Sequence, residues 1–252
     1  MGRIDGKVAL ISGTGGGQGR AAALRFAREG ARVFGCDLNA GAQQETLDLM
    51  QAEGLQMAGS GSVDLGDPVQ ARAWVEAAVA EYGRIDILYN NASAARFASI
   101  ADMSIEDWQY TLRNELDIVF FPTKYAWPHL AVRGGVIINI SSVAAWGAST
   151  VTGIGAHSAA KAGVVAVTRQ MAIEGVKSRI RAVSISPGVI ATPGTLPFLS
   201  NPATRSILLD GVPMERPGES DEVVATALFI ASDEASYITG TDIVVDGGML
   251  AV

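Results

Sequence analysis

A single cysteine, Cys36, in 252 residues excludes an intrachain disulfide, and no group of residues has metal-ligand spacing; both facts suit a reducing cytoplasm. Histidine is almost as scarce, with only His129 and His157. Positive charge is in short supply too: 19 Lys and Arg stand against 26 Asp and Glu, for a net charge of −7. That balance argues against nucleic acid or an anionic membrane surface as a partner and points to small-molecule chemistry. No apolar run has the length of a signal core or a membrane span, since the first one, residues 8–11, is only long enough to enter a β-strand. Low-complexity and linker-like blocks are also missing. With 48% hydrophobic and 18% charged residues, the chain has a globular balance and the length of one α/β domain, taken as 1–252.

What is present is alternation. Short apolar or β-branched runs at 8–12, 32–36, 57–63, 85–89, 136–140, 182–185 and 243–245 are separated mostly by segments of helical periodicity. This predicts a doubly wound α/β fold of Rossmann type, three layers deep, with a mainly parallel sheet between helices. Cys36 falls in an apolar strand and reads as a buried structural thiol. His129 falls near the end of a long helix, where an imidazole gains from the last carbonyls.

The first run leads into Ser12-Gly13-Thr14-Gly15-Gly16-Gly17-Gln18-Gly19 and then into a helix. Glycines at such a turn let the backbone approach a pyrophosphate, whose charge is met by free N–H groups and the dipole at the helix start. The second run ends at Asp37, about twenty residues on, where a carboxylate can accept from both adenosine ribose hydroxyls and would repel a 2′-phosphate. NAD is therefore expected rather than NADP. Arg20 and Arg32 are the nearby cations that could blur this preference.

From Lys7 to Gly248 the chain resembles the short-chain dehydrogenase/reductase family. The glycine turn is similar to the family's Thr-Gly-x-x-x-Gly-x-Gly with Ser12 for threonine, which implies cofactor contacts for Gly13, Gly17, Gln18 and Gly19. Val63-Asp64-Leu65 resembles the segment whose aspartate meets the adenine amine. Asn90-Asn91-Ala92-Ser93 resembles Asn-Asn-Ala-Gly with serine in last place. Asn114 matches a helix asparagine that supports a relay water, and Ser142, in Asn139-Ile140-Ser141-Ser142, matches the substrate-orienting serine. The stretch containing Pro187, Gly188 and Thr192 is similar to the segment that closes on the nicotinamide, and Val245-Asp246-Gly247-Gly248 resembles the C-terminal signature. The resemblance implies a homotetramer or homodimer.

The departures bear more on function. In the family a tyrosine exchanges the substrate proton, and a lysine four residues later tunes it and binds the nicotinamide ribose. Here Lys161 is present and His157 stands at the tyrosine position; Tyr82, Tyr89, Tyr110, Tyr125 and Tyr237 all lie elsewhere in sequence. Fifteen positions separate Ser142 from His157, two more than the family spacing, so Ser141, Ser149 and Thr150 remain candidate contributors. Imidazole can serve as a general acid or base and titrates nearer neutrality than phenol. Lys161 and an oxidised nicotinamide would both disfavour a second positive charge, leaving His157 a neutral base. Imidazole is also shorter than phenol, which requires a deeper substrate pose or a bridging water.

Substrate identity is expected to depend on about 190–214, with Trp146, Leu196 and Phe198 lining an apolar pocket. The sequence thus reads as an NAD-dependent oxidoreductase interconverting a secondary alcohol and a ketone. Ser142 would hold the substrate oxygen and Asn114 the relay water, while His157 exchanges the proton and Lys161 binds the ribose. The alternative is a catalytically silent NAD(H)-binding protein that senses its ligand.

Overall fold

The structure, a computed structural model, describes residues 2–252. Nine strands run in chain order as β1 (Val8–Ser12), β2 (Arg32–Asp37), β3 (Met57–Gly61), β4 (Ile87–Asn90), β5 (Gly135–Ile140), β6 (Ile180–Pro187), β7 (Ile190–Ala191), β8 (Gly218–Glu219) and β9 (Asp242–Val245). The helices are α1 (Gly17–Arg28), α2 (Ala40–Ala52), α3 (Pro68–Tyr82), α4 (Ile105–Leu112), α5 (Ile118–Leu130), α6 (Gly155–Gly175), α7 (Leu196–Leu199), α8 (Pro202–Leu209) and α9 (Ser220–Ala231). Seven strands form one parallel sheet in the order β3-β2-β1-β4-β5-β6-β9, and β7 and β8 form a small separate pair. Each of the seven runs read from the sequence supplies one strand of the large sheet.

The period-2 alternation of β1 divides the core. Ala9 and Ile11 pack with Ala22, Ala23 and Phe26 of α1 and with Val223, Val224 and Ala227 of α9. Val8 and Leu10 face the other way, toward Trp74 and Val75 of α3, Val119 of α5 and Val164 of α6. A strand covered on both faces reads as a nearly continuous apolar run, and β1 is buried at all five positions, its terminal Ser12 accepting from the Asn91 and Ala92 N–H groups. Cys36 is buried in β2, as expected, and burial pushes its thiol pKa up, with the Asp37 charge adding to the effect. His129 lies in the last turn of α5.

Chain order reverses beside β1, between β2 and β4, so a crevice opens at the carboxyl ends of these strands. Helices α4 and α5 are joined by a π-helical turn, Arg113–Asp117. A π turn holds one residue more than an α turn and shifts which side chain faces inward. Just beyond it, Pro122 has no N–H to offer the Ile118 carbonyl, yet α5 continues through it.

Candidate active site

The turn after β1 is built for close approach. The N–H groups of Gly13 and Thr14 both donate to the Cys36 carbonyl, at 2.8 and 3.0 Å, and bend the chain back over β2. Gly13 has φ +72°, and a Cβ there would lie 2.9 Å from Ala92 Cα; a Cβ on Gly19 would run into the Gly13 carbonyl oxygen. Gly16 begins α1 without a side-chain cap, so N–H groups of the first turn are left to meet a ligand. The Gln18 Oε1 atom is buried without a partner among the described residues. A backbone cradle with spare donors and one buried spare acceptor fits a dinucleotide.

Asp37 closes β2 at the edge of this cradle, its Oδ2 accepting from Gly15 N–H at 2.9 Å and its Oδ1 from Asn39 N–H at 2.8 Å. Both nearby cations are engaged elsewhere. Arg20 donates to the Gly15 carbonyl, Thr46 and Glu45, and the Arg32 guanidinium lies over the Tyr82 ring. Asp64 is held in an ion pair with Arg113 at 2.7 Å and accepts from Gly66 N–H. Asn91 ties β4 to β1, donating from Nδ2 to the Ser12 carbonyl at 3.0 Å. Pro187 ends β6, Gly188 N–H donates to Val245, and Thr192 stands against the glycine turn, its Cβ 3.5 Å from where a Cβ on Gly17 would be.

A second cluster lies at the start of α6. Lys161 follows His157 by four residues, so both share one helical face. His157 Nδ1 lies 2.8 and 2.7 Å from the two carboxylate oxygens of Glu115, whose side chain is only 1% exposed. Ser93 Oγ donates to Glu115 Oε1 at 2.7 Å. Lys161 Nζ is 3.9 Å from the same oxygen and donates to the Ile140 carbonyl at 3.1 Å. Two positions at which the sequence departs from the pattern it resembles, Ser93 and His157, thus meet on one carboxylate.

Glu115 was not among the residues singled out from sequence; its neighbour Asn114 was. The structure turns Asn114 aside, its amide donating to the Tyr110 carbonyl at 2.8 Å, and turns Glu115 inward within the π turn. A signal did exist, because Glu115 falls on the buried stripe of Thr111, Val119, Thr123 and Ala126, where a carboxylate needs partners. His157 is thus faced by the Glu115 anion as well as by the Lys161 cation. Among the described residues no tyrosine hydroxyl bonds to this cluster: Tyr82 bonds to Val33, Tyr89 stacks on Phe26, Tyr110 lies under Arg96, Tyr125 packs on the core and Tyr237 is fully exposed.

The two serines separate by role. Ser141 Oγ donates to the Lys161 carbonyl, whereas Ser142 Oγ accepts from Ala144 N–H at 3.1 Å and keeps its own proton free for a ligand. Phe97 meets the His157 ring edge to face at 5.8 Å. Leu196 and Phe198 are 49% and 56% exposed on the single-turn helix α7, which forms despite Pro197 because proline is tolerated in a first turn. Trp146 sits apart from His157: its indole donates to Asp242, and Arg169 stacks on its ring, more than three turns along α6.

Burial pushes the Glu115 pKa up, but Lys161, His157 and the Ser93 hydroxyl outweigh it and hold the carboxyl below its ordinary value. Burial pulls the Lys161 pKa down, opposed by Glu115. A carboxyl with a lowered folded pKa adds stability that is complete above its unfolded value and is lost as pH falls through the folded one. Glu115→Gln is therefore expected to flatten the acid limb of the stability curve, measured by denaturant unfolding at successive pH values. An acid limb identical to that of the wild type would contradict this.

Similarity to known proteins agrees with the geometry. The family model described as enoyl-(acyl carrier protein) reductase matches residues 13–250. The chain is 39% identical to the 3-oxoacyl-[acyl-carrier-protein] reductase FabG of Thermotoga maritima, over 98% of this chain and 99% of that protein. It is 36% identical to meso-2,3-butanediol dehydrogenase of Serratia marcescens, over 99% and 96%. A solved 7α-hydroxysteroid dehydrogenase, complexed with NADH and 7-oxo glycochenodeoxycholic acid, superposes with a TM-score of 0.92 at 30% identity, covering 98% of this chain and 95% of that one. The parallel sheet, the glycine cradle at its switch point and these end-to-end similarities together make the chain an oxidoreductase that belongs to the short-chain dehydrogenase/reductase family.

Proposed function

We propose that this protein interconverts a secondary alcohol and a ketone with NAD as the hydride carrier, and that His157 exchanges the substrate proton. The observation that carries the reading is the commitment of His157 Nδ1 to Glu115, which leaves Nε2 as the nitrogen able to take a proton. Gly13, Gly17, Gln18, Gly19, Asp37, Asp64, Asn91, Pro187, Gly188 and Thr192 would hold the cofactor, and Lys161 its nicotinamide ribose. Bound there, an oxidised nicotinamide supplies the hydride acceptor. The chain's own residues do the rest. Ser142 donates its free hydroxyl proton to the substrate oxygen and fixes its position. Nε2 accepts the alcohol proton as the carbonyl forms, and Glu115 supplies the opposite charge to the imidazolium.

The edge-on Phe97 ring beside His157 and the exposed Leu196 and Phe198 favour a largely apolar substrate. Two of the relatives bear the names of a butanediol dehydrogenase and a hydroxysteroid dehydrogenase, which supports alcohol and ketone chemistry. The Asp37 carboxylate, with a lone pair to spare on each oxygen and with Arg20 and Arg32 both occupied, supports NAD over NADP. Hydrogen bonds to a charged group contribute about 1.5–3 kcal/mol. Asp37→Ala is accordingly expected to narrow the preference for NAD roughly ten- to a hundredfold, read from the ratio of kcat/KM with the two cofactors. An unchanged ratio would remove Asp37 from the account.

The reading is tested by mixing the protein with NAD or NADP and a panel of secondary alcohols and following nicotinamide reduction by its absorbance. Reduction of NAD in preference to NADP is expected. Tight NADH binding with no turnover on any alcohol or ketone would favour the silent nucleotide-binding alternative.

A further inference from the structure

We propose that Glu115 is the positioning residue for His157: it fixes the ring as the Nδ1–H tautomer, aims Nε2 at the substrate and carries the counter-charge when imidazolium forms. The inference rests on the reading of His157 as the proton carrier and deepens it.

Its basis is geometric. An ionised carboxylate only accepts, so a neutral imidazole whose Nδ1 lies within 2.8 Å of both Glu115 oxygens must carry its proton on Nδ1. Glu115 has no other posture to adopt. Its side chain is 1% exposed, the Ser93 hydroxyl donates to Oε1, and the buried Lys161 ammonium stands 3.9 Å away. His157 sits in the first turn of α6, where the positive helix end opposes a protonated ring, and Lys161 on the same face opposes it again. Glu115 is the anion in contact with it. When the alcohol O–H bond breaks and the Nε2–H bond forms, the new positive charge arises against a carboxylate already in place. Such a fixed charge costs no reorganisation during the reaction. Ser93 completes the unit by satisfying a carboxylate lone pair that burial would otherwise leave bare.

The arrangement has the logic of a carboxylate behind a catalytic imidazole, in which loss of the charge at preserved geometry lowers kcat by about 10⁴ through the wrong tautomer. Three residues from three separate segments, the loop after β4, the π turn and the start of α6, are needed to assemble it. Ser93 and His157, the two departures from the pattern the chain resembles, thus both bond to Glu115.

The test uses the full-length protein with ¹⁵N-labelled histidine, His129 serving as the internal reference. The expected result for the wild type is a His157 ring protonated on Nδ1 and unprotonated on Nε2 at alkaline pH. In Glu115→Gln the two tautomers become mixed, kcat for alcohol oxidation falls about 10²- to 10⁴-fold, and KM changes little. Glu115→Asp, which keeps the charge, recovers part of both the tautomer preference and kcat. NADH binding by each variant, followed by fluorescence, verifies that the fold persists. A wild-type ring protonated on Nε2, or a Gln variant with an unchanged tautomer and unchanged kcat, would overturn the proposal. The nuclear magnetic resonance readout needs no turnover. An Nδ1–H ring governed by Glu115 in a protein that oxidises no alcohol would therefore leave the positioning in place and refute the catalytic reading of His157 instead.

Discussion

Replacing His157 with alanine is expected to lower kcat for alcohol oxidation by about 10²- to 10⁴-fold, the usual contribution of a positioned general base, while NADH still binds. The two effects separate because most of the proposed cofactor cradle is built from other elements than the proton site, with Lys161 the one residue of α6 assigned to both. Gly13 to Gly19 and Asp37 belong to the β1–α1 turn and the end of β2, whereas His157 stands on α6 and bonds to Glu115 of the π turn. His157 is also not required to hold the sheet together, since its side chain is 17% exposed and lies at the beginning of its helix. What the variant does lose is one of the partners of a buried carboxylate. Some stability goes with it, so unfolding should be measured beside turnover. Oxidation at the wild-type rate by a folded His157→Ala protein would end the assignment.

Gly19→Ala is expected to weaken NADH binding more than any substitution at the ribose end of the site. The added methyl has nowhere to go, because its Cβ would overlap the Gly13 carbonyl oxygen and lie 2.6 Å from Asn91 Nδ2. Backbone on one side and a hydrogen-bonded amide on the other cannot yield without opening the turn. Forced overpacking costs about 1–3 kcal/mol, which corresponds to roughly a five- to 150-fold loss of affinity if it falls on the bound state. Fluorescence titration with NADH provides the measurement. Full affinity in this variant would mean that the turn need not keep its present shape to bind the nucleotide.

The fold was legible because its signals are local. Each buried strand is a short apolar run, and the glycine turn joins the first strand to the first helix without interruption. The residues proposed for the cofactor could be read the same way, since Gly13, Gly19 and Asp37 are fixed by spacing within one βαβ unit. The proton site could be read only in part. His157 and Lys161 lie four residues apart on one helix and announce each other, but Glu115 is 42 residues from His157 in sequence and meets it only through packing. The family resemblance points to Asn114, and the π turn buries its neighbour Glu115, which no motif marks. Trp146 is grouped by the sequence with Leu196 and Phe198 as apolar pocket lining from separate loops. Its indole N–H takes Asp242 and its ring takes Arg169, contacts that no pattern in the sequence anticipates. The serine-to-histidine interval is longer than expected, and Gly153 within it packs so closely on Ala98 and Ser99 that a side chain would not fit.

The most direct test of the central claim is chemical rescue. His157→Ala, loaded with NAD and mixed rapidly with an alcohol the wild type oxidises, is followed with increasing concentrations of free imidazole. The account predicts little nicotinamide reduction without imidazole and a rate that climbs and then saturates as imidazole occupies the space left by the ring. Reduction by the variant at the wild-type rate in the absence of imidazole would show that the substrate proton leaves by another route.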